Sequence, residues 1–430
     1  MGAGQGLGGE GANFPQAESS VGGGRGADAQ AVAVGAVVIV VLAVLVGILR
    51  SADGREPTPY GVPPATGTTS TSQASSAAPS STMETTTTTI PVAVGAPVAI
   101  PNLQAFEFLS ADRGVALAFG DRLATTTDSG RHWTITGAVL PTGSNQSWNS
   151  LVFTTPQVGF VYGTDVASTT DGGRHWRLAS LTTPSTPEIA AVQPVGTSVW
   201  ALVGCVSGGA GTKDPCRGHL AVSTDIGQTW ATLASGPTLS GDTYALSRAD
   251  AQLAYAHATT YLPGPDDPGI AVTSDGGRTW SYRHDPCTAP IGETLVAHSR
   301  SALWLFCAGE PGAGQQLKQI FRSTDQGRHW AGVVNHLSHF DAGLFPGSGY
   351  LNDLEVVSAT TAWVALYRGG VWSTHDGGHA WTEAPIRGSE LLADQISFID
   401  ANHGWAREDG VLWRTTDGTH WTALNQWSNP

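Results

Sequence analysis

Two hydrophobic rhythms divide the chain. The first is unbroken. Between Asp28 and Arg50 lie 21 uncharged residues, Ala29 to Leu49, almost all Val, Ala, Leu, Ile or Gly. At a rise of 1.5 Å each they make roughly 30 Å of helix, the thickness of a bilayer's hydrocarbon layer. The run outlasts the roughly 7–15 apolar residues of a secretory signal, and Gly-Ile-Leu-Arg-Ser is a poor cleavage site. Residues 29–50 are therefore expected to form an uncleaved transmembrane helix. The second rhythm begins near residue 96. Short apolar stretches such as Leu151-Val-Phe153 and Gly159-Phe-Val-Tyr162 recur between Gly-bearing turns, a pattern of many short strands.

The remaining segments have neither rhythm. Residues 1–28 contain ten Gly and no apolar periodicity and read as a disordered tail. Residues 51–95 are rich in Ser, Thr, Pro and Ala, including Thr85 to Thr89, and read as an extended linker that buries too little apolar surface to fold. Arg25 before the span and Arg50 and Arg55 after it lean slightly towards a cytoplasmic C-terminus by charge. The stalk and the cysteines point the other way, and the C-terminal part is expected outside the membrane.

Composition narrows the classes. Gly (55) and Pro (25) are abundant, which disfavours a helical bundle, while 15 Trp and 40% apolar residues suffice for a core. With 21 Lys+Arg against 35 Asp+Glu, a net charge of −14, and no basic run, nucleic acid is not an expected partner.

Residues 101–430 repeat internally. The form [Ser/Thr]-x-Asp-x-Gly-x-x-Trp occurs around Asp128/Trp133, Asp171/Trp176, Asp225/Trp230, Asp275/Trp280, Asp325/Trp330 and Asp376/Trp381, and one residue shorter at Asp417/Trp421. The Asp-to-Asp intervals are 43, 54, 50, 50, 51 and 41. Each box is expected to be a hairpin turn. Its Gly takes backbone angles other residues resist, its Asp and Ser/Thr oxygens accept amide hydrogens, and its Trp plugs the gap to a neighbouring sheet. These seven aspartates are expected to be structural. The repeats resemble the Asp-box (bacterial neuraminidase repeat, sialidase-like) propellers. Around Gly404-Trp405-Ala406 they are also similar to the photosystem II assembly/stability factor group, which works by binding partners. Four strands in about 47 residues make one blade. The expected fold is all-β, a seven-bladed propeller of four-stranded antiparallel blades over residues 96–430.

Alternating strand direction sorts the turns. With strands A to D in each blade, box (C–D) and A–B turns share one face, and B–C and D–A turns share the other. From the second strand to the box Asp, blades 2, 6 and 7 use 11, 13 and 12 positions, but blades 3, 4 and 5 use 25, 20 and 21. The insertions fall in B–C turns, so the face opposite the boxes is expected to recognise ligands. The four cysteines suit bridges 205–216 and 287–307, one of three possible pairings: Cys205 and Cys216 flank the blade 3 insertion, and Cys287 and Cys307 lie on neighbouring strands of the same face. Such bridges imply an oxidising compartment.

On that face Arg122, Arg368 and Arg407 could grip an anion, as a sialidase arginine triad does, although the neighbouring Asp121, Glu408 and Asp409 suggest local salt bridges. The Phe/Tyr-Arg-Ile-Pro segment of sialidases is absent. His336, His339 and Asp341 invite a metal, but loop histidines are mostly solvated, and no metal or cofactor is expected. Trp148, Tyr261, Asp266, Asp267, His284, Asp285, Phe340 and Tyr350 would make an aromatic and acidic rim suited to a sugar or protein. The expected work is binding, as a scaffold or assembly module for a protein or glycan of the cell envelope, with catalytic residues unknown. The alternative is a glycoside hydrolase, sialidase-like or glucan-cleaving, using acids and arginines on the B–C/D–A face.

Overall fold

The computed structural model describes residues 94–136, 139–141, 147–183, 188–204, 217–241, 243–259, 269–288, 290–312, 315–336, 345–386 and 392–424. The expected tail, transmembrane helix and nearly all of the linker lie outside these residues. Among the described residues no helix is long and apolar enough to cross a membrane.

Seven antiparallel sheets follow one another along the chain. In blade 1, Leu103–Phe108, Gly114–Ala118, Arg122–Thr126 and Trp133–Thr136 pair in sequence order as strands A to D. The other blades repeat this order, with A strands Trp148–Phe153, Glu188–Val195, Thr243–Arg248, Gly292–Ser299, Tyr350–Val356 and Ala393–Phe398. The A strands adjoin one another around the axis, except that strand A of blade 3 meets strand B of blade 2, and the last adjoins the first. The fold is a closed seven-bladed propeller.

The burial pattern explains the apolar stretches seen in the sequence. Each B strand is covered by neighbouring blades on both faces, so it reads as a largely apolar run with occasional buried polar residues such as His257 and Arg407. Gly114–Ala118, Ala254–Thr259 and Gly404–Glu408 are buried throughout. The D strands form the outer rim, where Ala231 and Thr232 are exposed. The core is accordingly a set of seams between blades. Phe108 stacks on Trp405 at 3.5 Å, and Phe398 on Trp363 at 4.2 Å. Gly404 opens its strand beneath the Phe398 ring, which a Cβ would overlap; Gly159 sits under Phe153 in the same way.

The box tryptophans fill these seams less completely than the sequence suggests. Trp133 and Trp381 are buried, but Trp176, Trp230, Trp280, Trp330 and Trp421 are only half-buried. The reason is their place in the blade. Each stands at or just before strand D, the outermost strand, where the preceding blade covers one side of the ring and solvent reaches the other. Trp176 packs on the cluster around Leu123 and Phe153, Trp230 on that around Phe160, Trp280 on that around Trp200, and Trp330 on that around Leu303. They are lids on the outer end of each seam rather than plugs within it. An indole is large enough to cover apolar surface while its own edge stays wet. The plugs proper are the B-strand aromatics Phe160, Trp200, Tyr255, Trp304, Trp363 and Trp405, all buried.

Inner strands are also stitched by hydrogen bonds from one blade to the next. Phe153 N–H donates to Glu107 (2.7 Å), Ala297 N–H to Ser247 (2.8 Å), Leu351 N–H to Gln316 (2.9 Å) and Ile396 N–H to Asp353 (3.0 Å). The closing seam uses the same device. The Gln395 amide accepts from Phe106 N–H and donates to its carbonyl, and Ser397 Oγ accepts from Phe108 N–H. The N-terminal segment adds a short strand, Pro97–Val98, on the outer edge of blade 1, opposite Thr134 and Trp133. Among the described residues no strand crosses from one end of the chain into the other end's blade, and the Gln395 and Ser397 side chains bridge the closing seam.

Candidate functional site

The two faces differ in how uniformly their polar groups are bonded. On the box face one network recurs seven times. In blade 4, Thr273 Oγ1 donates to Asp275 Oδ1 (2.8 Å), Gly277 N–H donates to Thr273 Oγ1 (2.9 Å), and Thr279 N–H donates to Asp275 Oδ1 (3.0 Å). Thr126/Asp128, Thr169/Asp171, Ser223/Asp225, Ser323/Asp325, Thr374/Asp376 and Thr415/Asp417 repeat the hydroxyl–carboxylate contact. The second Asp oxygen takes the side chain just before the Trp: His132, His175, Thr229, Thr279, His329 and His420, but not Ala380 in blade 6. Hydrogen bonds from His175, Thr229 and Thr279 hold Asp171, Asp225 and Asp275 down at about 2. Each box is also tied to its own A–B turn in six blades, as by Ser129 N–H to the Asp112 carbonyl. The box Trp packs against the preceding blade, Trp280 beside Trp200, Trp381 beside Phe306 and Trp421 beside Trp363. Two of the half-buried indoles also find backbone acceptors: Trp230 donates to the Gly227 carbonyl (3.1 Å) and Trp330 to the His284 carbonyl (3.2 Å). The box aspartates are thus occupied within their own turns.

The opposite face is built differently. The A strands of blades 6, 7, 1 and 2, which are consecutive around the ring, carry a one-residue register shift near their starts, at Asn352, Asp394, Gln104 and Asn149. Blade 3 shifts at Ala190. A bulge turns a side chain out of the ladder, and these four polar residues are exposed. They form an amide and carboxylate crown around the axis. Blade 4 pairs without a shift, and the shift of blade 5 lies near the far end of its strand, at His298.

The three arginines share this face but do not meet through any contact among the described residues. Arg407 is a buried strut of the closing seam. It binds Asp394 Oδ1 (2.8 Å) and donates to the carbonyls of Leu103 and Gln104 (3.2 Å to the latter). Arg122 pairs with the adjoining Asp121 at 3.5 Å. Arg368 is exposed in a B–C turn, at a positive φ of 64°, beside Tyr367.

Several expected rim residues are interior. Trp148 is buried, its indole N–H donating to the Pro141 carbonyl. His336 is buried with Nε2 at 3.2 Å from the Phe345 carbonyl, and burial lowers its pKa. Nearby, Lys318 is also buried. Its ammonium donates to the carbonyls of Gln316, Pro346, Gly347 and Ser348, and burial pushes it down to about 8. The two hold residues 345–348 of the blade 5–6 connection, and His336, expected as a solvated loop histidine, is buried by that contact. Asp285 is largely buried against His257 and Glu293. His284 is exposed and Tyr350 half-buried. Tyr261, Asp266, Asp267, His339, Phe340, Asp341 and the Cys205–Cys216 pair lie outside the described residues. Cys287 and Cys307 are joined by a disulfide, with Cα atoms 5.7 Å apart.

Sequence reasoning overlooked a group of acids at the axis. Burial pushes Glu107 up to about 7 and Asp353 up to about 6. Glu355 is raised well above the usual carboxylate range, first by burial and then by the charges of Asp353 and Glu107. The one signal was an acid inside an apolar strand, as in Phe106-Glu107-Phe108 and Asp353-Leu-Glu355-Val. Away from the axis, a groove of about 800 Å³ lies beside the blade 2 box, lined by Thr125, Thr136, Gln157, Asp171 and Arg174 among others. Its one acid, Asp171, is held by Thr169 and His175.

The sequence matches no protein-family model and no curated protein. The fold does have solved counterparts. YCF48 bound to D1 peptide is 18% identical, with 76% of this chain and 98% of that one covered and a TM-score of 0.51. YCF48 from Cyanidioschyzon merolae is 16% identical, with 75% and 98% covered and a TM-score of 0.50. An ancestral GH74 enzyme is 16% identical at a TM-score of 0.53, with 78% of this chain covered; the chain spans only 47% of that enzyme. At such identities the likeness establishes the propeller fold and nothing finer.

Proposed function

We propose that this chain is a binding module whose face opposite the Asp-boxes receives an extended segment of a partner protein. The observation that carries this reading is the crown of bulged residues, Asn352, Asp394, Gln104 and Asn149, on four consecutive blades. Asp394 Oδ1 is held by Arg407, and Asn352 Nδ2 by the Ala393 and Asp394 carbonyls; the Gln104 and Asn149 carboxamides and the second Asp394 oxygen can pair with peptide N–H and C=O groups. The hydration they lose on binding is offset by those hydrogen bonds and by bridging waters. The fold neighbour YCF48, bound to D1 peptide, supports a peptide ligand for this architecture. In the same reading residues 29–50 anchor the chain in a membrane, residues 51–95 form the tether, and the propeller works on the oxidising side.

A photo-crosslinker placed at Asn149 or Asn352 of the full chain in cells should capture a discrete partner, and one placed at Ser129 or Ile226 in box turns should not. Capture from the box turns alone would reverse the assignment of faces.

The glycosidase reading draws on one observation, the raised axial acids. Two of them, Glu107 and Asp353, accept backbone N–H groups of the next blade and so have a structural task already. Hydrolysis of a glucan or sialoside by the purified chain, abolished by Glu355→Gln, would favour that reading over the binding one.

A further inference from the structure

We propose that His257, Asp285 and Glu293 form a site for one divalent transition-metal cation, with zinc-like preference, in the seam between blades 4 and 5. The residues come from three separate elements: His257 from strand B of blade 4, Asp285 from the connection after that blade, and Glu293 from strand A of blade 5. One ligand atom from each lies within 4.8 Å of the other two. A tetrahedral ion with bonds of about 2.0–2.1 Å needs ligand atoms roughly 3.4 Å apart, so modest side-chain adjustment suffices. His257 Nδ1 is 2.6 Å from Glu293 Oε2, and its Nε2 is 3.8 Å from Asp285 Oδ2.

The chemistry of the set is that of a cation site. Two carboxylates balance a dication, and a neutral imidazole supplies the nitrogen donor that magnesium and calcium sites seldom use. A second observation points the same way. The Glu293 side chain is only 2% exposed, and beside His257 it faces a second carboxyl group, that of Asp285. Two carboxylates held together away from water repel each other, and a cation between them would relieve that repulsion.

The ligands stand on a stiff frame. Glu293 lies opposite Cys307 in the A–B ladder of blade 5, and Cys307 is bridged to Cys287, two residues beyond Asp285. Cys287 N–H donates to Asp285 Oδ1 (2.9 Å), which leaves Oδ2 towards the imidazole. Preorganisation of this kind is what separates a metal site from a chance cluster. The ion would pin blade 4 to blade 5 beneath the B–C turns that carry the insertions.

The test is zinc binding by the full, disulfide-intact chain after chelator treatment, read by equilibrium dialysis with metal analysis and by thermal unfolding. One equivalent of zinc per chain and a rise in Tm are expected. Glu293→Gln should weaken binding at least tenfold and remove the rise in Tm. Asp285→Asn, at a less buried position that tolerates substitution better, should also weaken binding tenfold or more. No stoichiometric zinc on the wild-type chain would overturn the site. So would zinc that binds both variants as tightly as wild type, because the ion would then sit elsewhere.

Discussion

The two faces of this ring are made from the same strands and obey opposite rules. On the box face seven turns use one set of hydrogen bonds, and every box carboxylate is occupied inside its own hairpin. On the other face the blades fall into unlike groups. Four present a bulged polar residue, one bulges at Ala190, one pairs evenly, and one carries a disulfide beside three buried ionisable groups. Repetition marks the groups that hold blades together, because each blade faces the same packing problem. Variation marks surface that packing leaves free.

The largest expected effect lies where the box face meets the closing seam. Trp405 is fully buried, stacks on Phe108 and donates its indole N–H to the Ser129 carbonyl of the blade 1 box. Trp405→Ala should destabilise the ring by about 3–5 kcal/mol in denaturant titration. A loss below about 1 kcal/mol would mean that the seam does not hold the ring closed.

The next effect separates the axis from the boxes by pH. Glu107 and Asp353 have raised pKa values, so their contribution is intact below about 4, the unfolded value, and is lost as pH rises through about 6 to 7. The box acids Asp171, Asp225 and Asp275 have lowered values, so theirs is intact above about 4 and is lost as pH falls through about 2. Tm should therefore peak near pH 4–5 and decline towards pH 8. Glu107→Gln keeps an acceptor for Phe153 N–H without the charge. At pH 8 it should exceed wild type by on the order of 2 kcal/mol, and the gain should vanish by pH 4. A gain independent of pH would remove burial of the charge as the cause.

A smaller effect tests the box rule. Blade 6 alone lacks a side chain that reaches the second oxygen of its box acid, because Ala380 stands where the others have His or Thr. Ala380→Thr should raise Tm by about 1 °C. An unchanged or lower Tm would show that this contact contributes little in the other six boxes. The smallest effect on stability belongs to the crown. Asn149→Ala should change stability by no more than about 0.5 kcal/mol in the same titration, while weakening partner capture. A large loss of stability would recast the crown as structural.

The boxes and the glycine-punctuated apolar runs were legible because both are local. A hairpin turn is specified by residues within a few positions of one another, and seven copies of it declare the repeat. Strand alternation then assigns each turn to a face without coordinates. How deeply each box Trp sinks was not legible: Trp133 is buried and Trp176 half-buried in nearly identical boxes, because the neighbouring blade decides the cover. The candidate site was less legible still. Trp148, His336 and Asp285 look like loop or edge residues in sequence but fold inward, each committed to a partner that another segment brings.

The sequence alone settled the blade count, the order of strands and the side on which the insertions fall, because short-range patterns govern each of them. Ring closure decided the rest. It brings Arg407 to a carbonyl 304 positions away, His257 to Glu293 across a seam, and Glu107 near Glu355 at the axis. A one-residue shift in an inner strand decides whether Asn149 or its neighbour faces solvent, and that shift leaves no mark in the hydrophobic pattern. Such encounters depend on the angle between successive blades, a property of the packed whole that no segment carries by itself.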